Sequence, residues 1–280
     1  IKESNANFIR WMHIAAQPAD IRACDKFGIA AVQPAGDKES DVSGRAWNQR
    51  LEVMRDVIIY FRNNPSIIFW EAGNAEISQT HMRQMIGLRK ELDPYGMRFM
   101  GCRSLGNLAA IEESEWVGTM LGRRVRDGGG YTSGGRVIRD MALIIETEYA
   151  RDEAPRRVWD DFSPPDFDYV NRYSGGAKVN NQDVWDLTSE DFILNTVRGY
   201  YEFYSRRVQA NNPDPYYSAA AALCWTDSSQ HGRQQATENA RMSGRVDPVR
   251  IKKQSFYAFQ TMQSQEPAIY LVGHWNYPSD

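Results

Sequence analysis

The sequence predicts an α/β fold in which short buried strands alternate with amphipathic helices. Apolar runs of strand length are followed by stretches of helical periodicity, and Pro, Gly or Asn lie between them. Hydrophobic residues make up 42% of the 280 residues, which is enough to form a core and excludes a disordered chain. Seven predicted strands precede residue 226. A closed (β/α)8 TIM barrel needs eight, so we expect such a barrel with its first strand–helix unit missing or upstream of Ile1.

The first part of the chain shows the alternation most clearly. A helix is predicted over residues 18–27, because Pro18 suits a first helical turn and Gly28 suits the residue after the last. Apolar residues recur with helical spacing over residues 46–62, and Asn-Asn-Pro ends that pattern. The predicted elements are strand 7–13, helix 18–27, strand 29–33, helix 46–62, strand 66–70, helix 78–92 and strand 98–103.

The second part is less regular. Residues 122–140 are rich in Gly and Arg and are typical of a surface loop, whereas the polar and aromatic stretch 150–188 is longer than a simple connection. A final strand without a following helix is interpreted as the truncated start of a β domain over 267–280, after a barrel domain over 1–266. The predicted elements are strands 116–121, 142–148, 217–225 and 268–275 and helices 189–208 and 249–263.

Composition excludes several classes of function. The formal net charge of −3 gives no general attraction to nucleic acid. No apolar run reaches the roughly 18–20 residues needed to cross a bilayer. The three cysteines, Cys24, Cys102 and Cys224, lie far apart in apolar stretches and are expected to be buried free thiols. None of the four histidines has metal-ligand spacing with a cysteine or carboxylate, so we expect no metal and no cofactor.

Two predicted strands deliver carboxylates to the same edge of the barrel. Reactive side chains of such barrels stand at the carboxyl ends of the strands. The strand 66–70 runs into a segment that contains Glu71 and Glu76, and strand 142–148 contains Glu146 and Glu148. Glycoside hydrolysis uses two carboxyl groups on opposite sides of the glycosidic bond. The eight tryptophans also suggest flat aromatic surfaces on which a sugar could stack. Helix caps and arginine partners are the structural alternative for each carboxylate.

Several motifs occur in order along nearly the whole chain and resemble glycoside hydrolase family 2, the family of β-galactosidases, β-glucuronidases and β-mannosidases. The resemblance implies a retaining exo-β-glycosidase that hydrolyses a terminal β-linked sugar of a carbohydrate substrate. It also implies further β-sandwich domains in the same polypeptide and leaves a homo-oligomer open. The matching segments are residues 7–13 (NFIRWMH), 23–29 (ACDKFGI), 64–74 (NPSIIFWEAGN), 144–149 (IIETEY), 255–259 (SFYAF) and 273–278 (GHWNYP).

By this resemblance Glu148, which directly precedes Tyr149, is the nucleophile. Position parity does not choose between Glu146 and Glu148, because residues two apart face the same side of a strand. Glu148 is closer to the carboxyl end and hence to the rim of the barrel. Glu146 is then one layer deeper, where it is expected to pair with an arginine such as Arg10.

The acid/base departs from the common family pattern. Ala75 occupies the place directly after Gly-Asn where the family usually has Glu, and Glu76 follows one residue later, as in some members. We predict that Glu76 is the acid/base, held protonated by desolvation and by repulsion from Glu148. Glu71 is the second candidate if Ala75 has replaced the acid. Asn74 is expected to contact the 2-hydroxyl of the sugar.

The remaining predicted contacts surround the two carboxylates. Trp225 ends the last predicted barrel strand, where the resemblance implies an aromatic floor for the sugar, and His13 is expected to bind a sugar hydroxyl or the nucleophile. His231 lies on a predicted rim loop, although a structural role is the alternative for each of these residues. Several arginines are predicted to lie at the rim, where they would bind the carboxylate or sulfate of a uronic acid or sulfated sugar. The alternative is that they pair with nearby Asp and Glu side chains. These arginines are Arg103, Arg151, Arg156, Arg157 and Arg233.

The sequence is consistent with three hypotheses for the activity and its substrate. A neutral β-galactoside is the main expectation because that activity is common in the family, and a β-glucuronide or another uronide is the second. A non-catalytic carbohydrate-binding barrel, with Ala75 marking a lost acid, is the alternative from another class. A role in polysaccharide degradation would favour a periplasmic or secreted protein, but the sequence itself leaves the compartment open.

Overall fold

A computed structural model describes residues 1–11, 14–36, 40–103, 107–119, 142–149, 218–222, 225–226, 244–247, 249–264 and 266. The strands are β1 Phe8–Arg10, β2 Ala30–Pro34, β3 Ile67–Glu71, β4 Phe99–Cys102, β5 Trp116–Thr119, β6 Leu143–Tyr149 and β7 Ala219–Ala222. The helices are α1 Pro18–Phe27, α2 Gly44–Phe61, α3 Gln79–Leu92, α4 Leu108–Glu113 and α5 Gln254–Met262, after a short 3-10 helix at Lys2–Ser4.

These seven strands form one parallel sheet whose spatial order follows the chain order, from β1 to β7. The first and last strands approach each other, so the sheet is nearly closed into a barrel. Parallel neighbours require crossover connections, and α1, α2, α3 and α4 supply four of them. The predicted α/β barrel is therefore confirmed.

The barrel interior contains a compact apolar layer built by alternate residues of the strands. Gly101 of β4 is the small member of this layer, because a Cβ there would overlap the carbonyl oxygen and indole ring of Trp116. The absence of a side chain lets the indole lie across β4 and pack on Phe69, with ring centroids 5.7 Å apart. The other members of the layer are Phe8, Val32, Ile145 and Ala219.

Buried polar groups hold the opposite, amino-terminal end of the strands. Asp25 of α1 accepts hydrogen bonds from Asn64 Nδ2 at 2.6 Å and from the Ser66 amide at 2.9 Å. Burial acts to raise the pKa of Asp25, but these hydrogen bonds and the nearby Arg98 charge outweigh it, so the pKa is lowered. Arg98 also donates to Asp93 at 2.9 Å. The acidic residue of the ACDKFGI motif therefore has a structural role.

Several element boundaries differ from the predicted ones. Helix α4 is missing from the prediction, although Asn107 caps it by accepting hydrogen bonds from the Ala109 and Ala110 amides. Helix α5 begins at Gln254 rather than at 249, because a turn with Arg250 at a φ of 70° precedes it. Strand β7 ends at Ala222, before Trp225. The predicted loops 122–140 and 150–188, helix 189–208 and the β segment 267–280 lie outside the described residues.

Two of the three cysteines lie among the described residues. Cys24 and Cys102 are buried free thiols, as expected, and burial raises the pKa of Cys24. Cys224 lies outside the described residues. Within the described ranges, no helix is both long enough and apolar enough to cross a membrane.

Candidate active site

A buried ion pair joins the carboxyl ends of β1 and β3. Arg10 Nε lies 2.6 Å from Glu71 Oε2, and Arg10 Nη2 donates to Glu71 Oε1 at 2.6 Å. Both side chains are 1% exposed. They follow Phe8 and Phe69 by two residues and therefore lie one layer above the apolar interior, on the side of the barrel where reactive groups are expected. The paired geometry makes Glu71 an ion-pair partner and a poor candidate for the acid.

Asn74 lies beside this pair in the connection from β3 to α3 and is 3% exposed. Its Oδ1 accepts hydrogen bonds from Arg103 Nε at 2.7 Å and from Arg10 Nη2 at 3.0 Å. The two arginine donors establish which end of the amide is oxygen, since a nitrogen there would face two donors. The Asn74 Nδ2 group finds no acceptor among the described residues. A buried amide N–H in this position is suited to donate to an oxygen of a ligand.

The connection that carries Asn74 continues the pairing of β3 with β4. The Arg103 amide donates to the Gly73 carbonyl at 3.1 Å, and the Cys102 thiol contacts the same carbonyl at 3.0 Å. Beyond Asn74 the chain reaches the surface, so that Ala75 is half-buried and Glu76 is exposed. The described residues therefore do not supply the desolvation that we expected for the Glu76 carboxyl.

Strand β6 contains an irregularity between its two glutamates. Glu146 is fully buried and pairs in register with Ala220, whereas Tyr149 pairs with Ala222. Three steps along β6 thus match two steps along β7, which is the signature of a β-bulge. Residues two apart need not face the same side of a strand where a bulge intervenes, so the expected relation between Glu146 and Glu148 stays a prediction. The strand end carries Glu148 and Tyr149, whose side chains lie outside the described part of the chain.

Trp225 lies three residues beyond the end of β7, close to where it was expected. Its indole packs edge-on against Phe256 of α5, with ring centroids 5.8 Å apart, and remains half-buried. Its carbonyl accepts hydrogen bonds from the Arg245 and Val246 amides at 2.8 and 3.1 Å. The position is compatible with a sugar platform, which stays a prediction.

Other predicted contacts fall elsewhere. His13, His231 and the rim arginines Arg151, Arg156, Arg157 and Arg233 lie outside the described residues. Arg10 pairs with Glu71, and the expected pairing of Glu146 with an arginine such as Arg10 stays a prediction. Among the residues that the structure describes, no group of three or more His, Cys, Asp or Glu side chains is placed to hold a metal ion.

Comparison with known proteins gives four consistent matches. Residues 1–107 match the family described as glycosyl hydrolases family 2, TIM barrel domain. A β-glucuronidase of Formosa agariphila is 35% identical over 275 residues, which is 98% of this chain. A solved β-glucuronidase of glycoside hydrolase family 2 is 33% identical over 99% of the chain, with a TM-score of 0.69. A Parabacteroides merdae β-glucuronidase shares the fold, with a TM-score of 0.68 at 17% identity over 98% of the chain.

These relatives are longer than the chain and share one named activity. The chain spans 26% of the Formosa agariphila protein, 26% of the first solved structure and 34% of the second. All three are named β-glucuronidases, so the main expectation of a β-galactosidase is not supported. The family match, the 35% identity and the shared barrel agree with the motifs identified in the sequence. Residues 1–107 match the TIM barrel domain of glycoside hydrolase family 2, and the described strands of the chain form a barrel of that kind.

Proposed function

We propose that the protein is a retaining β-glycosidase that removes a terminal β-linked uronic acid, of the glucuronic acid type, from a carbohydrate substrate. The observation that carries the proposal is the buried Asn74 amide, whose oxygen is held by Arg10 and Arg103 and whose N–H is left for a ligand. Relatives at 33–35% identity named β-glucuronidases support the uronide over the galactoside.

The proposed reaction is a double displacement with retention of configuration. The Glu148 carboxylate attacks the anomeric carbon while Glu76 gives its proton to the leaving oxygen, so that the glycosidic bond breaks and a glycosyl-enzyme forms. Glu76 then takes a proton from water, the water oxygen attacks the anomeric carbon, and Glu148 leaves as a carboxylate. The two carboxyl groups must lie about 5–5.5 Å apart for this chemistry. Asn74 stabilises the transition state through a hydrogen bond to the 2-hydroxyl.

Arginine at the rim suits the negative charge of a uronic acid. The Arg103 side chain is buried, and its Nε is fixed by Asn74, the residue that would contact the same sugar. A guanidinium held in place binds a carboxylate through paired hydrogen bonds at a smaller entropic cost than a mobile one. Arg103 is therefore a candidate to bind the carboxylate of the substrate, a group that a galactoside lacks.

The test is a panel of 4-nitrophenyl β-glycosides with the full-length protein and two variants. We expect hydrolysis of the β-glucuronide or β-galacturonide and much weaker hydrolysis of the β-galactoside and β-mannoside. Glu148→Gln should abolish turnover. Glu76→Gln should largely spare kcat/KM for substrates with good leaving groups, since departure of these groups needs no proton, and should lower kcat because the second step lacks its base. Preference for the galactoside, or full activity of Glu148→Gln, would contradict the proposal.

One observation favours a second candidate, a carbohydrate-binding barrel without turnover. Ala75 stands where the family usually has its acid, and the neighbouring Glu76 is exposed. Calorimetric titration with glucuronate distinguishes the two candidates. Binding of glucuronate without turnover of any aryl glycoside would establish the binding function.

A further inference from the structure

Two loops at the carboxyl ends of β2 and β3 are tied together by side chains that the proposed chemistry does not use. Asp41 lies in the loop between β2 and α2, and His81 lies in the first turn of α3. His81 Nδ1 is 2.7 Å from Asp41 Oδ1 and 2.9 Å from Asp41 Oδ2. The Ser78 amide donates to Asp41 Oδ2 at 3.0 Å. One carboxylate thus binds both the imidazole and the backbone that leads into α3.

The His81 ring is fixed on a second side by α2. It stacks on the Trp47 indole with ring centroids 3.7 Å apart and an angle of 14° between the planes. Trp47 is 3% exposed and donates its Nε1–H to Gln84 Oε1 of α3 at 2.5 Å. Burial acts to raise the pKa of Asp41, but the hydrogen bonds from His81 and Ser78 outweigh it, so the pKa is lowered. The carboxylate is therefore ionised and accepts these bonds at neutral pH.

Arg50 of α2 packs against the start of the β3–α3 connection at Gly73. Arg50 of α2 is 5% exposed and donates to the Ser40 carbonyl at 3.2 Å. Its Nη1 lies 3.4 Å from the point where a Cβ of residue 73 would be, so the guanidinium packs closely on Gly73. Residues 74–77 therefore connect Gly73 to Ser78, two points that α2, α3 and the β2–α2 loop fix.

We propose that Asp41 and His81 are positioning residues, which set where the connection between Gly73 and Ser78 presents the Asn74 amide and the Glu76 carboxyl to the substrate. This inference rests on the proposed function, because it takes Glu76 as the acid. An acid must approach within about 2.6–3.2 Å of the oxygen that it protonates. A displacement of about 1 Å at such a group can cost a factor of about 100 in rate.

The experiment compares His81→Ala and Asp41→Ala in the full-length protein, with aryl β-glucuronides whose leaving groups range from 2,4-dinitrophenol to phenol. We expect kcat/KM for the phenyl glucuronide to fall by about tenfold or more, because kcat/KM reports formation of the glycosyl-enzyme and this substrate depends on proton transfer in that step. The loss should shrink steadily as the leaving group improves. Asp41→Asn, which keeps an oxygen for the Ser78 amide, should recover part of the Asp41→Ala loss. Equal losses for all leaving groups, or none, would overturn the inference.

A matched control removes an ion pair from the same helix without touching the connection. Arg83 of α3 contacts Glu113 of α4 at 2.5 Å, and its side chain is 62% exposed. Arg83→Gln should change kcat/KM by less than about twofold for every substrate, since exposed ion pairs contribute little. A leaving-group dependence in this variant equal to that of His81→Ala would also overturn the inference.

Hydrogen exchange separates failure of this inference from failure of the proposed function. If the wild-type protein hydrolyses no glycoside, the proposed function is wrong. Hydrogen exchange still tests whether Asp41 holds the connection, because this measurement does not depend on activity. Asp41→Ala should accelerate amide exchange in a peptide that covers residues 72–80, because the Ser78 amide loses its acceptor. Unchanged exchange there in a folded Asp41→Ala variant would show that Asp41 does not hold this segment.

Discussion

Asn74 shows how buried partners orient one side chain for a ligand. The amide could point either way from its local sequence, but two arginine donors on Oδ1 turn the N–H to the opposite side. The arginines come from β1 and from the residue after β4, so the orientation depends on three separate stretches of chain. A side chain fixed by such contacts needs no reorganisation when the substrate binds.

We expect Asn74→Ala to lower kcat/KM by about 100- to 1,000-fold, because a hydrogen bond that strengthens in the transition state is lost. The measurement is steady-state kinetics on the aryl β-glucuronide and on its 2-deoxy analogue. The analogue lacks the hydroxyl that Asn74 would bind, so on this substrate wild type and variant should be nearly equal. An equally large loss on the 2-deoxy substrate would assign Asn74 a different role.

Individual residues also mark the limit of what the sequence predicts. Glu76 and Asn74 could be named as candidates from the sequence because they follow a strand in a recognisable motif. The pairing of Arg10 with Glu71 could not be predicted, because the two residues are 61 positions apart in the sequence and only the barrel, in which β2 lies between β1 and β3, brings them together. No local pattern carries that information.

At the scale of elements, helices with chemical signals at both ends were predicted best. The bounds of α1 agree with the prediction because Pro18 begins it and Gly28 follows it with a φ of 63°, a conformation that glycine adopts without strain. Helix α4 was missed because its six residues are too few to show a periodic pattern. The bulge in β6 was missed because pairing register depends on the neighbouring strand.

Two glycines in different elements give opposite predictions for the same substitution. Gly101→Ala should destabilise the protein by about 1–3 kcal/mol, since the new Cβ would overlap Trp116. Gly87→Ala in the exposed face of α3 meets nothing within 4 Å and should stabilise by about 0.5–1 kcal/mol. Urea unfolding followed by circular dichroism measures both. A stable Gly101→Ala variant would mean that the interior layer packs less tightly at β4 than described.

The whole molecule separates stability from chemistry along the barrel axis. The amino-terminal end of the strands carries the network of Asp25, Asp93 and Arg98, whereas the carboxyl-terminal end carries Arg10 and Asn74. This division is general in barrels of this kind. The fold class was predictable from the alternation of strands and helices, but the substrate was not, because it depends on side chains that several distant loops bring together.

Asp25→Asn should destabilise the protein by about 1–3 kcal/mol at pH 7, because the Ser66 amide and Asn64 lose a charged acceptor. The lowered pKa of Asp25 means that its contribution is present above the ordinary value of about 3.9 and is lost as the pH falls below it. The difference between wild type and variant in urea unfolding should therefore stay constant from pH 7 to pH 5 and narrow below about pH 4.

The catalytic constants of Asp25→Asn should remain close to those of the wild type, since the residue lies at the end of the barrel opposite the candidate active site. A difference in stability that grows on acidification would contradict the assigned role of Asp25. A large fall in kcat of the folded variant would contradict the separation of stability from chemistry.

Two buried tryptophans, Trp116 in the barrel interior and Trp70 in the layer between strands and helices, provide an optical signal of the barrel's integrity. Trp70 and Trp116 are both 0% exposed. The Trp116 indole donates to the Trp70 carbonyl at 3.0 Å, and the Trp70 indole donates to Asp93 at 3.1 Å. Indoles in such rigid, asymmetric surroundings give near-ultraviolet circular dichroism bands that vanish when tertiary packing loosens, even while helices persist. Those bands therefore distinguish a variant with an intact barrel from one that is merely compact.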